Sequence, residues 1–209
     1  MKVLTAVQQK GGTGKSTTSI NVAVAAVLRG YRVALLETDP QGSLALWRSL
    51  RRRRWPHVWP LDSDDLAVWL EQHRRLFDLV VVDTPAHDGK TIADAVQVAD
   101  LALIVTQPSV LATSVAMRLR RLFVDHGIPF AILLSQTPHS MNARLTRWID
   151  NHRLLGTVVE GHLAYRVAHQ DAVALGMGVV EYEPEGRAAD EVQIVTEWIL
   201  RRLEMINEP

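Results

Sequence analysis

The stretch Lys10-Gly11-Gly12-Thr13-Gly14-Lys15-Ser16-Thr17 packs three glycines against a Lys-Ser pair. Glycines let a backbone turn tightly enough to aim several N–H groups at one point. A helix opening at Lys15 adds the positive end of its dipole. In that setting Lys15 reaches the β- and γ-phosphates of a nucleotide, and the Ser16 hydroxyl holds Mg²⁺. The pattern G-x-x-x-x-G-K-[ST] is departed from only at its first position, which falls on Gln9. A glycine-rich turn without a ligand would not explain Lys15-Ser16 at this spacing.

Two acidic positions fit the same chemistry. Asp83 ends the apolar run Leu79-Val80-Val81-Val82. A carboxylate there holds the water shell of Mg²⁺ while the strand behind it stays buried, or it simply caps a helix. Asp39 lies in Glu37-Thr38-Asp39-Pro40-Gln41-Gly42, at the edge of the sheet where open α/β folds take ligands. It reads as a Mg²⁺-side group that orients the water attacking a γ-phosphate, or as an Asp-Pro turn that starts the next helix.

The elements that must position these residues alternate between strand and helix. Val3–Val7, Val33–Leu36, Leu79–Val82, Leu101–Val105 and Phe130–Leu134 read as strands, the last three apolar on both faces as buried parallel strands are. Helices are expected over 15–29, 42–50, 62–75, 89–98, 109–126, 139–153 and 188–206. In the first, Ile20, Val24, Val27 and Leu28 share a face, and Gly30 stops it. Such alternation predicts an α/β fold: a doubly wound, mostly parallel sheet with helices on both faces. Residues 1–209 are expected to form one domain, and Arg51 to Pro60 an irregular surface excursion.

Composition narrows the function classes. At 209 residues, 47% apolar and 22% charged, the chain reads as a folded soluble protein. Basic and acidic residues balance at 23 each, which excludes an overall basic coat but not a local patch. The absence of Cys excludes disulfides, thiolate zinc sites, iron–sulfur clusters and thiol nucleophiles. No leader-like segment precedes the first strand and no apolar run is long enough to span a bilayer, so a cytoplasmic location is expected.

Taken together, the loop Lys10–Thr17, Asp39-Pro40-Gln41 and Asp83-Thr84-Pro85 resemble the ParA/MinD family of deviant Walker-A ATPases. Thr106-Gln107-Pro108-Ser109 and Glu181-Tyr182-Glu183-Pro184 also look like family segments, so the likeness covers essentially the whole chain. The short length is most similar to small ParA-type (ParF-like) partition ATPases. The resemblance implies a P-loop NTPase fold, ATP/ADP and Mg²⁺ as ligands, and hydrolysis of ATP. It implies that Lys10 is the signature lysine, crossing an ATP-bound homodimer to the partner's phosphates, and that Thr17 contacts the α-phosphate. Asp39 and Asp83 take the switch I and Walker B positions. Two departures stand out: Glu37 where an Asp is common, and Ser135-Gln136 where an Asn or Arg is frequent near the base site.

The resemblance also implies non-specific binding of double-stranded DNA by the ATP-bound dimer, a nucleoid-associated location, and a ParB-like or other cargo adaptor that stimulates hydrolysis. Arg166, Arg187, Arg201 and Arg202 are candidate DNA contacts, with Arg118, Arg120, Arg121, Arg144 and Arg147 on other helices. The run Arg51-Arg52-Arg53-Arg54 reads first as a solvated loop and second as a contact for DNA or a partner. Trp47, Trp55 and Trp59 could form a partner-facing apolar surface, whereas Trp69 and Trp198 read as core. Two other functions compete. A MinD-like membrane-cycling ATPase needs an amphipathic anchor, and Trp198–Pro209 is amphipathic but without a basic tail, so no stable membrane insertion is expected. A metabolic P-loop ligase or kinase is the third reading.

Overall fold

The computed structural model describes residues 1–206. Nine α-helices and seven strands follow one another as β1 (Lys2–Val7), α1 (Lys15–Leu28), β2 (Val33–Glu37), α2 (Ser43–Leu50), β3 (His57–Pro60), α3 (Leu66–His73), β4 (Leu79–Asp83), α4 (Gly89–Gln97), β5 (Leu101–Thr106), α5 (Val110–Asp125), β6 (Phe130–Thr137), α6 (Ala143–Arg153), β7 (Leu163–Ala164), α7 (Val167–Ala174), α8 (Val179–Tyr182) and α9 (Arg187–Arg202) among the described residues. All strands are parallel, in the order β3-β2-β4-β1-β5-β6-β7. The doubly wound sheet expected from the sequence is present.

Period-two alternation sorts the strands onto two cores. Leu4, Leu35, Val81, Leu103 and Leu133 face α1, α8 and α9 on one side. Val3, Leu36, Val80 and Val82 face α3 and α4 on the other, while Val7, Ile104 and Ile132 pack beneath α4 and α5. Both faces are covered, which is why every residue of β2, β4 and β5 is buried. The loop after β1 opens between β4 and β5, where successive connections leave to opposite sides. That is the crevice in which open α/β sheets take ligands.

The segment 51–60 departs from expectation. His57–Pro60 is a parallel edge strand, in register with Ala34–Glu37. Proline is tolerated at its end because an edge strand pairs on one side only. Arg51 is not solvated: its side chain is 1% exposed and its guanidinium pairs with Glu181, itself 2% exposed. It also donates to the carbonyls of Trp55 and Gly176 and lies over the Trp47 ring. Arg52, Arg53 and Arg54 remain exposed.

The three tryptophans near this run do not form a free surface. Trp47 is buried and donates from Nε1 to Met177 O at 3.2 Å. Trp55 and Trp59 pack against the core through His57, Trp69 and Phe77. Trp69 is core as expected. Sequence periodicity points to no element between 154 and 182, where β7, α7 and α8 lie: β7 and α8 are two and four residues long, and α7 does not separate apolar from polar residues onto opposite faces.

Candidate nucleotide site

The glycine-rich loop carries the features an anion cradle requires. Gly12 and Gly14 take φ of +72° and +89°, the left-handed region that side chains disfavour. Gly14 leads into α1 without a side-chain cap. Helices α4, α5 and α6 close their N-termini with Asp88, Ser109 and Asn142. The first N–H groups of α1 are therefore left for a ligand. From outside, the loop's carbonyls are tied back: Thr13 O accepts from Ser135 Oγ, and Gly12 O accepts from Gln107 and Gln136.

Behind the loop, Asp83 joins β4 to α1. Its Oδ2 accepts from Ser16 Oγ at 2.6 Å and its Oδ1 from Ser19 Oγ at 3.1 Å. Asp83 is fully buried, and burial pushes its carboxyl up to about 6, against the pull of the Ser16 bond and the Lys15 charge. Burial likewise lowers Lys15, while Asp83 and Asp39 draw it back up. Ser19, one helical turn beyond Lys15, was not legible in sequence; only the fold turns it toward β4.

Asp39 stands apart from this pair. Its Oδ1 accepts from Gln41 N at 2.9 Å, an Asx-type turn that leads into α2. Glu37, the departure from the family pattern, turns elsewhere. Its carboxylate accepts from Leu44 N at 2.6 Å and Ala45 N at 2.9 Å and so caps α2. The longer side chain reaches the N-terminus that Gly42 leaves uncapped. Burial still raises the Glu37 carboxyl, against the two backbone bonds.

A cavity of about 700 Å³ opens over the loop, lined by residues 11–17, by Asp39 to Gln41 and Ser43, and by 85–88. Ser16 and Asp39 line it, whereas Asp83 stands behind Ser16. N–H groups and Lys15 gathered beside two carboxylates suit an anion that arrives with a cation better than a bare anion. A smaller cavity of about 90 Å³ continues past Gly14 and Thr17 toward Gln136, Tyr165 and His169. Both ring nitrogens of His169 are buried without a partner.

Lys10 is placed differently from Lys15. It does not line the large cavity, and its Nζ lies 3.4 Å from Gln107 Oε1. The arginines named from sequence are not brought together. Arg166 is held by Glu191 at 2.6 Å, and Arg201 is bonded to Glu197. Arg187 and Arg202 are exposed and form no ion pair among the described residues. The apolar face of α9 is spent on the core through Val192, Val195, Ile199 and Leu200. Residues 207–209 of the amphipathic C-terminal segment lie outside the described residues. No helix of the described residues is long and apolar enough to cross a membrane.

Comparison with known proteins agrees with this geometry. Residues 4–179 match the family described as the CobQ/CobB/MinD/ParA nucleotide binding domain. The maintenance of carboxysome distribution protein A of Gloeobacter kilaueensis is 33% identical over 200 residues, covering 94% of this chain and 85% of that protein. Its namesake from Halothiobacillus neapolitanus is 31% identical over 202 residues, covering 91% and 93%. The septum site-determining protein MinD of Pyrococcus horikoshii, solved with Mg-ADP, superposes with a TM-score of 0.79 at 18% identity, over 95% of each chain.

Proposed function

Because the chain belongs to the CobQ/CobB/MinD/ParA nucleotide-binding family, we propose that it is a Mg²⁺-dependent ATPase that dimerises when it binds ATP and positions a cargo. The whole of residues 1–209 is read as one such unit. Two relatives named for carboxysome distribution favour a cargo-positioning role over a metabolic one. The cargo is a protein assembly or a DNA molecule, recognised through an adaptor protein that stimulates hydrolysis.

The observation that carries this reading is the division between the two loop lysines. Lys15 is buried at the base of the cavity, and Lys10 stands outside it with its amine on Gln107. A second cation that serves no phosphate in its own cavity is suited to neutralise those of a facing copy. ATP then stabilises the dimer, and loss of the γ-phosphate weakens it.

The donor set fits both ligands. The backbone of residues 11–17 and Lys15 would hold the phosphates, with Thr17 at the α-phosphate. Ser16 and Asp39, with Asp83 behind Ser16, would hold Mg²⁺. When bound, the ion offsets the charge of the β- and γ-phosphates. Asp39 orients a water against the γ-phosphorus; the water oxygen bonds to phosphorus as the bond to the bridging oxygen breaks, ADP leaves with that electron pair, and the water's proton passes to the released phosphate or to solvent. Lys10 and Lys15 neutralise the charge that develops there.

DNA binding in the dimeric state completes the reading. Arg187 and Arg202 are exposed and without an ion pair among the described residues and would offer cations to phosphates, whereas Arg166 and Arg201 would first leave Glu191 and Glu197. The test is binding to random-sequence duplex DNA with ATP, ADP or neither, over a salt series. Binding only with ATP, weakening steeply with salt, is expected. Binding that ignores the nucleotide, or none in any state, would contradict it.

A further inference from the structure

Two side-chain amides converge on one carbonyl of the phosphate loop. Gln107 Nε2 reaches Gly12 O at 3.2 Å, and Gln136 Nε2 reaches the same oxygen at 2.6 Å. The glutamines are joined to each other, Gln107 Nε2 donating to Gln136 Oε1 at 2.6 Å. Gln107 Oε1 faces Lys10 Nζ, so its amide is engaged at both ends. One glutamine follows β5 and the other lies near the end of β6, so neither belongs to the loop they hold.

The backbone of β6 is bent to allow this. Gln136 has φ of +51°, uncommon for a residue with a side chain, where the pairing of β6 with β7 shifts between Ser135 and Thr137. In a regular strand successive side chains point to opposite faces. The irregularity lets consecutive residues point the same way. Ser135 thereby reaches Thr13 O while Gln136 reaches Gly12 O.

What this does follows from peptide planarity. In a trans peptide the C=O of one residue and the N–H of the next point in opposite directions. Holding Gly12 O outward turns Thr13 N–H inward, and holding Thr13 O outward does the same for Gly14 N–H. A flipped plane would instead present a carbonyl oxygen to a phosphate, repelling it and removing a donor.

We propose that Gln107 and Gln136 are positioning residues for the phosphate loop, fixing the Gly12–Thr13 peptide so that its N–H faces the β-phosphate of a nucleoside di- or triphosphate. The inference rests on the phosphate-loop reading. Neither glutamine touches the phosphate; each acts through the Gly12 carbonyl. Either amide alone still anchors that oxygen, so the pair acts as a unit and its two deletions are more than additive.

The test is calorimetric binding of Mg-ADP to the full chain, comparing wild type, Lys15→Ala, Gln107→Met, Gln136→Met and the double glutamine variant. The double variant is expected to bind roughly tenfold or more weakly, and each single variant no more than about threefold. The melting temperature of the nucleotide-free double variant stays at the wild-type value. In ¹⁵N–¹H spectra, the shift of the Thr13 amide on adding Mg-ADP is lost from it. A smaller loss in the double variant, a loss matched by a lower nucleotide-free melting temperature, or an intact Thr13 shift overturns the proposal. Wild type that binds no Mg-ADP, or Lys15→Ala that binds it normally, removes the phosphate-loop reading itself. An unaffected double variant beside a normal wild type and a defective Lys15→Ala removes only this inference.

Discussion

The Ser16 hydroxyl donates to Asp83 Oδ2 across 2.6 Å, joining the first turn of α1 to the C-terminal end of β4. The carboxylate that receives it is fully buried, so the bond sits where charge is costly. The folded carboxyl is raised to about 6, above its unfolded value. Below the unfolded value both states hold the proton and nothing is lost.

As pH rises through that interval, the unfolded chain releases a proton that the folded chain keeps. Stability therefore falls with rising pH, and the cost at neutral pH is about 3 kcal/mol. Metal- and nucleotide-free Asp83→Asn is expected to be more stable than wild type at neutral pH and to lose that advantage in acid. Urea unfolding over a pH series checks this. Equal stability of the two proteins at neutral pH would refute the burial argument.

Lys15 lies at the base of the cavity, where burial lowers its pKa but two carboxylates oppose the shift. Lys15→Ala is expected to abolish measurable ATP hydrolysis and to weaken nucleotide binding at least tenfold, about 1.4 kcal/mol. Normal phosphate release by the variant would sink the phosphate-loop assignment.

Asp39 is held at the cavity rim by Gln41 N and lends no bond to α1. Asp39→Ala should therefore keep ATP bound while slowing its hydrolysis roughly a hundredfold or more. Single-turnover kinetics beside equilibrium binding separate the two effects. A variant unable to bind ATP would reassign Asp39 from water orientation to nucleotide binding.

How much of this was legible in the sequence differs from residue to residue. The cradle was legible because its spacing is local: three glycines and Lys15-Ser16 lie within eight residues. Asp83 was placed by the apolar run before it, since a buried strand must end at a defined point. Glu37 was legible only as a departure; that it caps α2 depends on a loop closing back on β2. The burial of Arg51 was hidden because its partner, Glu181, lies 130 residues further on. A run of four arginines otherwise reads as solvent-facing. Strand β3 was missed because its short, aromatic sequence borrows its stability from the edge of β2.

The Arg51–Glu181 pair has a testable energetic signature. Both side chains are removed from water, and Glu181 would be left buried without its main partner in Arg51→Met. That variant is expected to lose about 3–5 kcal/mol. Adding Glu181→Gln should return much of it, because no uncompensated charge then remains. Denaturant titration of the four members of the cycle checks this; an Arg51→Met protein as stable as wild type would contradict the burial of the pair.

If ATP joins two copies of this chain through Lys10, as proposed, sedimentation velocity will resolve the dimer. Wild type and Lys10→Ala are compared with Mg²⁺ and a slowly hydrolysed ATP analogue, with ADP, and without nucleotide. A dimer is expected only for wild type with the analogue, and monomers in every other sample. A Lys10→Ala protein that dimerises as well as wild type, or a wild type that remains monomeric with the analogue bound, would contradict it.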